Sequence, residues 1–212
     1  ATAPGVVSIA EIKSGIFVCR YQGSMKIGDM ADGAFIQSGG KVFLDQRVDL
    51  TISTTNNGAG YYEIGGTSEL YVGRSLYVGE SFATSAVFKV RGSSISSIKV
   101  GYEVEAADCV IGSNGTLAVE LDGGGVTQIE SKKNAYFRNG SVLMPSAMPN
   151  ATAGVYTVLV VSNANYQIYD DGLRLSVYPP GYSNKWHFTV STNKLTLTYD
   201  PTGGMGTFLT IR

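Results

Sequence analysis

Few residues of this 212-residue chain are of a type and spacing that could do chemistry. Glycoside hydrolysis needs only two carboxyl groups about 5 to 10 Å apart, a separation within reach of positions i and i+2 on one strand face. Glu103 with Glu105, and Glu120 with Asp122, meet that spacing. Each pair equally suits the polar face of an amphipathic strand. His187 is the sole histidine, so it is the one base available to a Ser or Cys triad, and a metal site built on it would need carboxylates for every other ligand. It sits in Trp186-His187-Phe188, where a strand would turn it away from both aromatics, towards the surface. The chain has no Gly-x-Ser-x-Gly elbow, Walker loop, dinucleotide fingerprint or His-Glu-x-x-His. Asp29 to Gly33 and Asp170-Asp171-Gly172 look like fragments of calcium loops but lack the alternating oxygen ligands and closing Glu, and read as acidic turns. No catalytic residue, cofactor or metal is therefore expected.

The two cysteines, Cys19 and Cys109, are 90 residues apart, which excludes a disulfide framework and a thiolate zinc site. Both lie in apolar alternation, the setting of buried free thiols, although a bridge between them stays open. The start, Ala1 to Gly5, fits removal of either an initiator Met or a signal peptide. Three Asn-x-Ser/Thr sequences, at Asn114, Asn139 and Asn150, are what chance supplies in such a composition.

Charged residues make up 16% of the chain, below the usual quarter, and 27 residues are Gly. This is the balance of a strand-and-turn protein large enough to bury its own core. A net charge of -1 gives no field to attract nucleic acid or an anionic membrane. The densest basic pair, Lys132-Lys133, lacks interleaved aromatics, and no apolar run is long enough to insert into a bilayer.

Period-2 alternation recurs over 6–12, 16–21, 47–53, 86–91, 98–104, 116–121, 136–142, 173–178, 194–199 and 207–211. Only Pro4 precedes Pro145, so turns must come from Gly, Asn, Asp and Ser, as at Asn57-Gly58, Gly65-Gly66, Gly123 to Gly125 and Asn139-Gly140. Such dipeptides supply the positive φ of tight hairpins. The expected fold is all-β, an antiparallel β-sandwich or barrel of many short hairpin-connected strands, with at most one helical turn. It is expected as a single unit over 1–212, with 1–112 and 113–212 as the alternative division. Residues 144–150 read as an irregular connection. The duplication Leu70-Tyr71-Val72-Gly73 and Leu76-Tyr77-Val78-Gly79 reads as a hairpin or adjacent edge segments, since one copy pair falls short of a solenoid's three or more repeats.

Thirteen tyrosines remain distinctive. Tyr joins a flat apolar face to a polar tip and suits contact surfaces and sugar rings, although sheets also use it for propensity alone. The favoured binding segment is Tyr178 to Trp186, in which Pro and Gly shape a loop presenting Tyr178, Tyr182, Asn184, Lys185 and Trp186.

In its Gly-punctuated strands 73–91 and the stretch 156–211, the texture resembles β-structured receptor-binding and tail proteins of phage virions. The resemblance implies a non-enzymatic structural or attachment module at a virion surface. It implies homo-oligomers, trimers among them, that bind a host-surface glycan or protein. Two other readings stand beside it: a secreted bacterial or fimbrial adhesin or carbohydrate-binding domain, which a Cys19–Cys109 bridge would favour, and a glycoside hydrolase using one carboxylate pair.

Overall fold

The computed structural model describes residues 8–45, 47–53, 58–80, 84–102, 107–177 and 180–203, with nothing stated of the side chains at 180 and 181. The chain is all-β, but it winds as a parallel β-solenoid and not as the expected antiparallel sandwich or barrel. Successive strands visit three sheets in strict rotation. The first sheet takes β1 (Ser8–Ile12), β4 (Gly33–Gln37), β7 (Ala59–Gly65), β10 (Ser85–Arg91), β13 (Gly115–Leu121), β16 (Val142–Ala147) and β19 (Arg174–Leu175). The second takes β2 (Ile16–Cys19), β5 (Lys41–Leu44), β8 (Glu69–Val72), β11 (Ser97–Val100), β14 (Ile129–Ser131) and β17 (Gly154–Val161). The third takes β3 (Gly23–Ile27), β6 (Val48–Ile52), β9 (Leu76–Val78), β12 (Cys109–Ile111), β15 (Ala135–Phe137) and β18 (Ile168–Asp170). After a 3₁₀ turn at Pro180–Lys185, β20 (Trp186–Val190) and β21 (Lys194–Tyr199) form an antiparallel hairpin whose second strand closes the edge of β17.

Parallel neighbours normally need a long crossover. Here the crossover is the other two strands of the coil, so the repeat runs from 25 residues, Ser8 to Gly33, to 33 residues, Leu76 to Cys109. Alternation sends every second side chain inwards, and register stacks like on like. Phe35, Tyr62 and Phe88 form an aromatic column with ring centroids 5.1 and 5.6 Å apart, continued by Leu117, Leu143 and Leu175. Val42, Leu70, Ile98, Ile129 and Leu159 do the same for the second sheet. Leu50, Leu76 and Cys109 serve the third.

The glycine pairs turn corners. Gly79 sits at φ +65, and a Cβ there would lie 2.4 Å from the Gly115 backbone nitrogen of the next coil. Gly28, at φ +71, meets Ala59 in the same way. Asn139-Gly140 likewise separates β15 from β16, two strands of different sheets, instead of joining hairpin partners. Asn57 lies outside the described residues. The two Leu-Tyr-Val-Gly copies are β8 and β9 on either side of one corner, neither a hairpin nor neighbours in a sheet. Of the segment expected to be irregular, residues up to Ala147 belong to β16. The Gly112 to Gly115 turn is a corner like the others, with all three sheets present on both sides of it.

Two buried polar groups are satisfied largely by the next coil. The Gln37 amide donates to the carbonyls of Gly40 and Glu69 at 3.1 and 3.0 Å and accepts from the Tyr62 hydroxyl at 2.7 Å. Asp49 accepts a bidentate pair from Arg74 and the Ser75 N–H. Cys19 and Cys109 are both free and lie in different sheets.

Gly79→Ala is expected to cost about 3 kcal/mol through positive-φ strain and the clash with the next coil, read as a lowered melting temperature; an unchanged melt would refute the stacked corner. Burial, aided by the Asp108 charge, pushes the Cys109 thiol up to about 12. Native protein is therefore expected to titrate with a single disulfide reagent-reactive thiol, Cys19, and denatured protein with two. No reactive thiol in the native or the denatured protein would mean that the cysteines are bridged.

Candidate functional site

The hairpin and the preceding 3₁₀ turn build a cleft against the exposed end of β16. Its walls are Pro145, Ser146 and Ala147 on one side and Val177, Tyr182, Lys185, Trp186 and Tyr199 on the other, enclosing about 220 Å³. Trp186 and Tyr199 are register partners with stacked rings, centroids 4.4 Å apart, and Trp186 is only 4% exposed. The indole is thus the floor of the cleft and part of the core closure. Tyr182 is 47% exposed, with the Lys185 ammonium 4.5 Å above its ring. That pairing holds one cation and one aromatic face at the rim. Asp200 accepts from the Thr202 hydroxyl and N–H, which with the nearby His187 and Lys185 charges lowers its pKa.

Three of the five residues expected to form a binding segment, Tyr182, Lys185 and Trp186, therefore line one cleft. Asn184 does not; its amide donates to the Gly203 carbonyl at 3.4 Å. Tyr178 lies outside the described residues, as do Glu103 and Glu105. His187 is exposed on the outer face of β20, opposite Trp186 and Phe188.

The other carboxylate pair is engaged. Glu120 is bound by Lys89 at 2.8 Å and Arg91 at 3.2 Å, and both cations also reach Glu63, giving a charge ladder across β7, β10 and β13. Asp122 accepts from the Ser93 N–H and hydroxyl and the Gly124 N–H. Burial alone would raise its pKa, but these bonds outweigh it and hold the carboxyl below its ordinary range, the wrong direction for a general acid. The acidic turns are similarly occupied. Asp32 accepts from the Ala59 N–H, and Asp170 caps the N–H groups of Gly172 and Leu173. Among the described residues no three His, Cys, Asp or Glu side chains converge as metal ligands, and no helix is long and apolar enough to cross a membrane.

Two groupings escape a reading along the chain because their members come from different coils. On the third sheet's outer face, Tyr77, Val110, Tyr136 and Tyr169 occupy one register column. Tyr136 and Tyr169 stack at 4.9 Å and 7°, so each ring covers a face of the other that a sugar would otherwise use. At a corner of the first two coils, Arg20, Tyr21, Gln22, Asp45 and Arg47 surround an open basin. The detectable signal for both is a repeat that runs from 25 to 33 residues, blurred by the differing corner lengths. Comparison of the chain with protein-family models, with curated proteins and with solved structures gave no significant match in any of the three.

Glu63 is also held below its ordinary pKa. Burial opposes this, but the Tyr61 hydroxyl and the Lys89 and Arg91 charges win. Carboxyls lowered in the fold stabilise it above their unfolded pKa and lose that contribution as pH falls through the folded value. The melting temperature is therefore expected to be flat between about pH 7 and 5 and to drop below about pH 4; a melt unchanged down to about pH 2 would refute the ladder's contribution.

Proposed function

We propose that this chain is a non-enzymatic structural or host-attachment module of a virion surface, of the tail-fibre or spike type, acting as a homo-oligomer that contacts a host-surface glycan or protein. The observation that carries the reading is the β-solenoid with unlike ends. Seven strands at about 4.8 Å spacing make a stiff rod about 30 Å long, a form suited to bearing load and projecting a surface. At one end the β20–β21 hairpin covers the edge of β17 and carries the Tyr182–Lys185 cleft, while β18 and β19 each pair on one side only among the described residues. At the other end β1, β2 and β3 each pair on one side only among the described residues, with Ile9 and Ile16 about two-thirds exposed. Open strand edges with apolar neighbours are sites of β-pairing between chains. Sparse charge and the free thiols fit the same reading; the adhesin alternative loses the bridge that would have favoured it.

Light scattering on the purified chain, with and without reductant, tests the assembly. A reductant-insensitive oligomer, a trimer being three times 22.4 kDa, is expected, and a monomer at all concentrations would remove the oligomeric spike from consideration. Fluorescently labelled protein should decorate susceptible cells in a panel of bacteria, and Tyr182→Ala should lower that binding by about tenfold without lowering the melting temperature. Equal binding by this variant would take the cleft out of the contact surface.

A further inference from the structure

The corner basin of the first two coils holds features that the rod does not need. Register places Cys19 opposite Leu44 and Gly23 opposite Val48, so Arg20 to Gln22 lie against Asp45 and Arg47 of the next coil. The Asp45 N–H donates to the Cys19 carbonyl at 2.9 Å and the Gly23 N–H to the Arg47 carbonyl at 3.2 Å, which ties the two coils together at Asp45 and at Arg47. Arg20, Tyr21, Gln22, Asp45 and Arg47 enclose about 660 Å³, three times the volume of the C-terminal cleft. Arg20 and Arg47 are both exposed, and neither belongs to an ion pair among the described residues. By contrast, Arg74, Arg91 and Arg138 each hold a carboxylate.

Tyr21 adds a second, independent observation. It is one of two non-glycine residues at positive φ among the described residues, at +79, and it is 86% exposed. A bulky residue in that region is strained, and such strain concentrates at binding sites, since a glycine would hold the same corner without it. The strained backbone here presents an aromatic face to solvent beside two guanidinium groups that enter no ion pair among the described residues.

We propose that this basin is a binding site for the acidic unit of a saccharide, with Arg20 and Arg47 taking a carboxylate and Tyr21 stacking on the sugar ring. Guanidinium groups match planar oxyanions by paired hydrogen bonds, and a Tyr face matches the apolar face of a pyranose. The exposed Tyr21 ring decides between ligands, since a bare inorganic anion has no apolar face to lay on it and a sugar acid has. Two arginines and one tyrosine are too sparse to track a nucleic-acid strand. The volume is that of a one- or two-sugar site. The basin goes beyond the attachment reading and stands apart from the cleft at the other end of the rod.

The test is an NMR titration of the full chain with glucuronic acid, glucose and inorganic phosphate. Glucuronic acid is expected to bind at least tenfold more tightly than either of the others. Arg20→Gln and Arg47→Gln should each weaken it tenfold or more. Tyr21→Gly should weaken it similarly while the melting temperature holds or rises, because glycine relieves the positive φ. Thermal melts establish that the arginine variants are folded. Glucose binding as tightly as glucuronic acid, phosphate binding as tightly as either, no binding, or indifference to all three variants would each overturn the proposal. Failure to decorate cells would refute the attachment reading and leave this site standing.

Discussion

Everything in this molecule depends on the in-register parallel ladder, in which each residue has the residue of the next coil about 4.8 Å above it. A coil cannot change its number of inward positions without unpairing its neighbour. The core is therefore a bundle of columns, such as Phe35-Tyr62-Phe88 and Leu50-Leu76-Cys109, each needing only an apolar residue that fits those above and below. Length variation is expelled to the corners, where Gly28 and Gly79 let backbone pass against backbone at distances a Cβ would forbid. Buried polar groups obey the same geometry. Gln37 and Asp49 each stand in a ladder position and find their partners one coil on, at Glu69, Tyr62 and Arg74.

The ladder also decides what the surface can do. Outward columns repeat as the core does, so charges and aromatics from distant sequence meet: Glu63, Lys89, Arg91 and Glu120 neutralise one another, and Tyr136 stacks on Tyr169. Self-satisfied columns offer little to a ligand. Places where the repeat is interrupted offer more, because there side chains lack a partner from the neighbouring coil. The hairpin end, with Tyr182 and Lys185 above a Trp186 floor, is one such place. The corner carrying Arg20, Tyr21 and Arg47 keeps the repeat but offers two guanidinium groups that enter no ion pair among the described residues.

Strand content and several strand positions were legible in the sequence, because alternation records a half-buried strand whatever its partner. Residues 116–121 and 194–199 lie in β13 and β21, and the one helical turn among the described residues falls at Pro180–Lys185. Strand direction was not legible. A positive-φ glycine serves a hairpin and a solenoid corner equally, and Asn139-Gly140 carries no mark of which it makes. The repeat itself is hidden because inward columns accept Phe, Tyr or Leu alike and the spacing drifts between 25 and 33 residues.

Of the candidate site residues, Tyr182, Lys185 and Trp186 could be found in sequence because they share one short segment, while Arg20 with Arg47 could not, and neither could the ion-paired Glu63 and Glu120, being brought together only by the pitch of the coil. By itself, then, the sequence determined an all-β chain of low charge with Gly-built turns and an aromatic C-terminal segment. The tertiary structure alone decided that the strands run parallel in three sheets and which side chains meet. Register is a long-range property, set by how whole coils stack, and local alternation is the same for every register and direction.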